Sequence, residues 1–196
     1  VLHVLRFARE QLPQTLEAIN ATGYGLTQGV HTRIDETVAQ VLAASRAGNL
    51  YVNRNIVGAV VGVQPFGGEG LSGTGPKAGG PLYLLRLLAV RPVQAARLAV
   101  GQAGRASLPP VRGVGVEPVH TAGAGEPLDA LRTWAVAQGR ALLSAHCDRA
   151  AAESPVGIWH ALPGPTGEAN LYAVLPRETV LCLAGEGAAG EADRLT

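Results

Sequence analysis

The 196-residue sequence predicts an α/β fold, and three observations carry that expectation. Its first half alternates short β-branched runs with amphipathic stretches, the pattern of strands interleaved with helices. A glycine-dense loop then closes that half. The composition, 47% hydrophobic and 16% charged with a net charge of +1, is that of a globular chain with enough apolar material for a core.

Taken in order, Val1 to Phe7 is apolar and β-branched and reads as a buried strand. Leu12 to Asn20 places Leu12, Leu16 and Ile19 on one helical face and ends where Asn20 and Gly23 interrupt it. Gly29 to Thr32 suits a second short strand. Asp35 is a good N-cap for a helix carrying Val38, Val41, Leu42 and Ser45, stopped by Gly48. Asn49 to Asn53 follows as a strand and delivers the chain to the loop.

That loop, Gly58 to Pro81, interleaves glycines with Val60, Val61, Val63, Phe66 and Leu71. Linkers are polar and serine-rich, so this composition points to a loop that approaches something closely. Gly68-Glu-Gly70-Leu-Ser-Gly73 spells the dinucleotide fingerprint, but Pro65 precedes it, Gly75-Pro76 follows it, and no acidic residue occurs between Glu69 and Glu117. It is rejected as a nucleotide site. A phosphate loop fails too, because Ala78 follows Lys77.

Beyond the loop, Pro81 opens a short helix holding Leu82, Leu84, Leu85 and Leu88, and Pro92 to Gln102 has a helical composition. Gly104 to Pro127 is rich in Gly and Pro and reads as a linker. The six charges from Lys77 to Arg112 are all positive. Only Tyr83 could stack beside them, so a solvated or subunit-facing surface is expected there and not nucleic acid. Leu128 to Ala150 reads as one amphipathic helix weakened at Gly139, with Cys147 near its apolar face. Leu162 to Glu168 is a multi-turn loop, Asn170–Leu175 and Thr179–Ala184 are short β-like runs, and the tail after Gly185 is loose.

No catalytic constellation emerges. His31 beside a strand fits a structural histidine, His146 and Cys147 diverge on their helix, Cys147 and Cys182 suit apolar interiors, and His160 lacks a partner at metal spacing. Ser72 lacks the strand–turn–helix setting of a nucleophile elbow. Two cysteines fit a reducing cytoplasm. No apolar run reaches the ~18 residues that span a bilayer. The start at Val1 and the lack of methionine lead to the expectation of a piece of a longer chain.

Ala21 to Asp35, Gly48 to Asn53, and Gln64-Pro-Phe-Gly-Gly68 with Leu71-Ser-Gly73 resemble the carboxy-terminal third of an aldehyde dehydrogenase catalytic domain. Gly58-Ala59 and Gly79-Gly-Pro-Leu-Tyr-Leu-Leu-Arg86 resemble its Δ1-pyrroline-5-carboxylate dehydrogenase branch, which oxidises L-glutamate γ-semialdehyde with NAD. Leu162 to Tyr172, Leu175 to Arg177 and Val180 to Cys182 are similar to the accessory carboxy-terminal domain of bifunctional proline-utilization enzymes, whose separate proline dehydrogenase part carries FAD.

The resemblance implies residues 1–90 as the end of a catalytic domain, 91–127 as a connector and 128–196 as part of an accessory α/β domain. It implies an oligomeric parent in which the nucleophilic cysteine, the general-base glutamate and the NAD-binding fold precede Val1. The chain alone is then expected to be inactive, with neither Cys147 nor Cys182 as nucleophile. Gly58 and Ala59 are expected to hold the substrate's α-carboxylate through main-chain N–H groups, and Phe66 to wall its aliphatic middle. A non-catalytic assembly or lid module is the alternative.

Overall fold

The computed structural model describes residues 2–90, 126–154, 156, 159–175 and 187. Helix α1 (Leu12–Asn20) begins with Pro13 in its first turn, where a missing N–H costs nothing. Its Leu16 is buried. Strand β1 (Tyr24–Gly25) and strand β2 (Thr27–Val30) lead to helix α2 (Asp35–Ala44), which buries Ala39 and Val41, and then to strand β3 (Asn49–Val52). Strands β2 and β3 pair in parallel, Thr27 opposite Asn49 and Val30 opposite Val52, with α2 as the crossover. This βαβ unit is the platform of the first half.

Four expectations here need correction. Residues 2–8 form no strand, and Leu2, Val4 and Leu5 are exposed: an apolar run makes a strand only where a neighbouring strand receives its N–H and C=O groups, and none of the described strands does. Ile34, and not Asp35, is the N-cap of α2. Asp35 and Glu36 instead occupy the first turn, where they complement the helix dipole. The second strand is displaced from Gly29–Thr32 to Thr27–Val30, and Leu84–Leu87 is a 3-10 turn.

Asn53 ends β3 in a left-handed conformation, φ 56°, with its N–H donating to Val30 O. Its Oδ1 accepts the Thr32 N–H at 2.9 Å. The loop beyond it folds back. Its strand β4 (Glu69–Gly70) pairs antiparallel with β1, and Phe66 and Ala78 exchange both backbone bonds.

In the second half the single helix expected over 128–150 is two: α3 (Glu126–Ala137) and α4 (Ala141–Glu153). The break is at Gly139, whose φ of +66° lies outside the helix. The two helices turn back on each other around buried Ala135 and Cys147, and Arg132 pairs with Asp148 across the surface. Cys147 is thus the small core residue expected, and His146 is exposed. Strand β5 (Trp159–Leu162) and strand β6 (Asn170–Ala173) form an antiparallel hairpin, with buried His160 opposite buried Tyr172. The partner of Asn170–Ala173 is therefore the Trp159 run. Pro92–Gln102, most of the 104–127 linker, Thr179–Ala184 and most of the tail lie outside the described residues.

Candidate functional site

The glycine loop is held to the βαβ platform by two side chains. Asn49, buried at the start of β3, donates from Nδ2 to Pro65 O at 2.8 Å and accepts the Gly67 N–H at 3.1 Å. Lys77 donates its Nζ to Gly67 O at 2.8 Å and also to Gly48 O. Burial lowers the Lys77 pKa below its ordinary value, and nearby Glu69 opposes that shift. Phe66 is therefore flanked on both sides by anchored peptide groups and bridged to Ala78, which fixes the direction in which its half-buried side chain leaves the backbone. Ser72 is structural: its Oγ accepts the Gly25 N–H at 3.1 Å.

The glycines of this loop fall into two kinds. A Cβ at Gly68 would meet the Ser72 Cβ at 2.6 Å, one at Gly73 the Gly68 O at 2.8 Å, and one at Gly48 the Gly67 O at 2.1 Å. Gly68 and Gly73 thus let the loop pack on itself, and Gly48 lets it pack against the start of β3. Around Gly58 nothing lies within 4 Å of the Cβ position, and its φ of +74° is what demands glycine. Open space faces the chain there.

Residues 55–64 form a small hydrogen-bonded structure. Asn55 Oδ1 accepts the Val57 N–H at 3.1 Å, Gly58 donates to Ile56 O at 3.2 Å, and Gln64 Oε1 accepts the Val60 N–H at 3.0 Å. Between Val57 and Val60, only the Ala59 N–H has no partner among the described residues. Two free donors were expected at Gly58 and Ala59. The structure leaves Ala59 open and engages Gly58 in a three-residue turn, whose bent bond is weak.

The loop is also joined to the β5–β6 hairpin. Gln64 Nε2 donates to Asn170 Oδ1 at 3.1 Å and to Glu168 Oε2 at 3.4 Å, and Arg54 Nη1 meets the same Glu168 oxygen at 3.4 Å. The Arg54 guanidinium lies 5.0 Å from the Tyr51 ring centroid, which orients it. Asn49, Lys77, Gln64 and Glu168 were all missed by sequence reasoning. Asn49, Gln64 and Glu168 lie inside segments that carry the family resemblance, but their partners are distant in sequence.

The Gly68–Gly73 run does not fit a dinucleotide. Glu69–Gly70 pairs antiparallel with Tyr24–Gly25, a turn follows at Leu71–Ser72, and no helix starts there to receive a pyrophosphate. The thiol of Cys147 is enclosed between helices α3 and α4, and His31 is exposed between β2 and α2. No helix of the described residues is long and apolar enough to cross a membrane.

Residues 1–93 match the aldehyde dehydrogenase family. The bifunctional protein PutA of Escherichia coli is 57% identical over 196 residues, all of this chain and 14% of that protein. The 1-pyrroline-5-carboxylate dehydrogenase 1 of Halalkalibacterium halodurans is 54% identical over 69 residues, 35% of this chain and 13% of that protein. A crystal structure of a bifunctional proline utilization A protein aligns with 64% identity over 42% of this chain and 8% of its own, at a TM-score of 0.41. The chain thus spans about 14% of the length of the bifunctional relative from Escherichia coli.

Proposed function

We propose, from the premise that residues 1–93 are an aldehyde dehydrogenase segment and that the whole chain is akin to bifunctional PutA proteins, that it serves a parent enzyme oxidising L-glutamate γ-semialdehyde to glutamate in proline catabolism. Its part is to hold the substrate by the end that does not react. The observation that carries this reading is the unpartnered Ala59 N–H beside open space at Gly58.

A carboxylate is the natural guest of such a turn. It accepts the Ala59 N–H directly, and the weak Gly58 bond to Ile56 O yields to the charged acceptor, since charge-assisted bonds are about twice as strong as neutral ones. Phe66, fixed by its anchored neighbours, borders the aliphatic middle of the substrate. Holding the acid end in this way fixes where the aldehyde carbon lies, which is catalysis by orientation.

The reacting groups belong to other parts of the parent. Cys147 is enclosed and does not meet an aldehyde. On the family resemblance, the nucleophilic cysteine and the general-base glutamate are supplied by other parts of the parent, and the isolated chain is inactive. NAD accepts the hydride in a binding fold outside these residues. FAD serves the proline dehydrogenase part. In this division residues 1–90 complete the catalytic domain, 91–127 connect, and 128–196 belong to an accessory domain.

The test is Gly58→Val in the full-length enzyme. A valine at φ +74° displaces the turn. The KM for the semialdehyde should rise roughly tenfold or more, the loss expected for a charge-assisted bond, while the KM for NAD changes little. Equal losses for both would count against the reading.

A further inference from the structure

The entry to the substrate turn is held locally, by Asn55 Oδ1 on the Val57 N–H and by the Gly58 bond to Ile56 O, but its exit depends on a residue fixed from outside. That exit is closed by Gln64, whose Oε1 takes the Val60 N–H, and the orientation of that carboxamide is set from the other side by the β5–β6 hairpin. Asn170 Oδ1 and Glu168 Oε2 can accept only from the Nε2 end, so they force Oε1 toward Val60. Arg54 fixes Glu168 in turn. On the hairpin, Glu168 donates its N–H to Pro165 O at 3.2 Å, and a Cβ at Gly164 would lie 2.2 Å from Asn170 Nδ2, so the 163–169 loop backs both acceptors.

We infer that Gln64 is a positioning residue through which the β5–β6 hairpin sets the conformation of the 57–60 turn and so the affinity for the substrate carboxylate. The inference rests on the reading given under Proposed function for what that turn holds. It assigns the hairpin, whose Glu168 and Asn170 lie more than one hundred residues beyond Gln64, a part in substrate affinity without any contact to substrate.

Gln64→Glu separates the two ends of the carboxamide. The variant keeps an acceptor for Val60 but loses the donor and sets a carboxylate against Glu168 and Asn170 Oδ1. Adding Glu168→Gln restores a donor–acceptor pair in the reversed sense. In the full-length enzyme, Gln64→Glu should accelerate amide hydrogen exchange in the 57–63 segment and raise the KM for glutamate γ-semialdehyde about fivefold or more. The kcat, the KM for NAD and the KM for propanal, which has no carboxylate, should stay within about twofold. The Gln64→Glu/Glu168→Gln pair should recover most of both effects.

Unchanged exchange in Gln64→Glu overturns the inference whatever the turn binds. Faster exchange with an equal rise in KM for semialdehyde, propanal and NAD also overturns it, since that is general loosening. Faster exchange, rescued by the double variant, with an unmoved semialdehyde KM upholds the clamp and instead sinks the carboxylate reading.

Discussion

Asn49 grips both sides of Phe66: its Nδ2 donates to Pro65 O at 2.8 Å and its Oδ1 accepts the Gly67 N–H at 3.1 Å. One buried carboxamide at the start of a strand thereby replaces the backbone ladder that the loop cannot form there. Asn49→Ala should orphan both peptide groups at a cost of about 2–4 kcal/mol, on the order of 1–2 per group. Asn49→Asp keeps the acceptor for Gly67 but faces a carboxylate to the Pro65 carbonyl, and should be no better. Urea unfolding of the full-length protein checks the stability. A loss under about 0.5 kcal/mol, the range of ordinary surface changes, would show that Phe66 is held by something else.

Because the Phe66 backbone is held by Asn49 and Ala78, the ring can be removed without unseating the loop. Phe66→Ala should therefore raise the KM for the semialdehyde by about fivefold to twentyfold, the value of one or two buried methylenes, with a small change in melting temperature. A ring that serves the core would give the reverse, a large fall in melting temperature at unchanged KM.

Helix α1 and the body of α2 were legible because their apolar residues recur at three and four positions, and β3 because Leu50, Tyr51 and Val52 form an apolar run, whereas β2 was legible only at Gly29 and Val30. Residues 2–8 misled for a definite reason. Apolar, β-branched character announces that a segment is to be buried but not by what, and Leu2, Val4 and Leu5 find no cover within the described chain. The turn at Gly139 was underweighted because the flanking alanines and leucines keep helical propensity high on both sides. At the site, the glycines announced a close approach but not its object: Gly68 and Gly73 make room for the loop itself, whereas Gly58, Gly62, Gly75 and Gly79 all face open space, and only the backbone bonds single out the turn at Gly58. Gln64 stood in plain view inside a quoted motif, yet its partners Glu168 and Asn170 belong to another part of the chain, a pairing no local pattern encodes.

Gly139 separates α3 from α4 with φ +66° and nothing near its Cβ position. Space is free, so the effect of a substitution isolates backbone strain. Gly139→Ala should cost about 1–2 kcal/mol, the penalty of a left-handed conformation for a residue with a Cβ. Gly139→Asn should cost less, since asparagine tolerates that region. Identical losses, read from urea unfolding, would mean that the helical hairpin does not depend on the conformation at this residue.

Lys77 offers a test by pH. Burial lowers its pKa below 10.5, against the opposing pull of Glu69. Between the lowered folded value and 10.5 the unfolded chain binds the proton more fully than the folded one, so stability rises with pH across that window. The contribution is greatest above 10.5 and is lost as pH falls through the folded value, where a charged amine must be kept in a partly dry site. Lys77→Arg remains charged throughout and removes this slope. Urea midpoints of wild type and variant, measured from neutral pH up to 10.5, should therefore diverge as pH rises, with the wild type gaining. Parallel curves would mean that Lys77 titrates as a solvated amine and that its bonds to Gly48 O and Gly67 O do not hold it out of water.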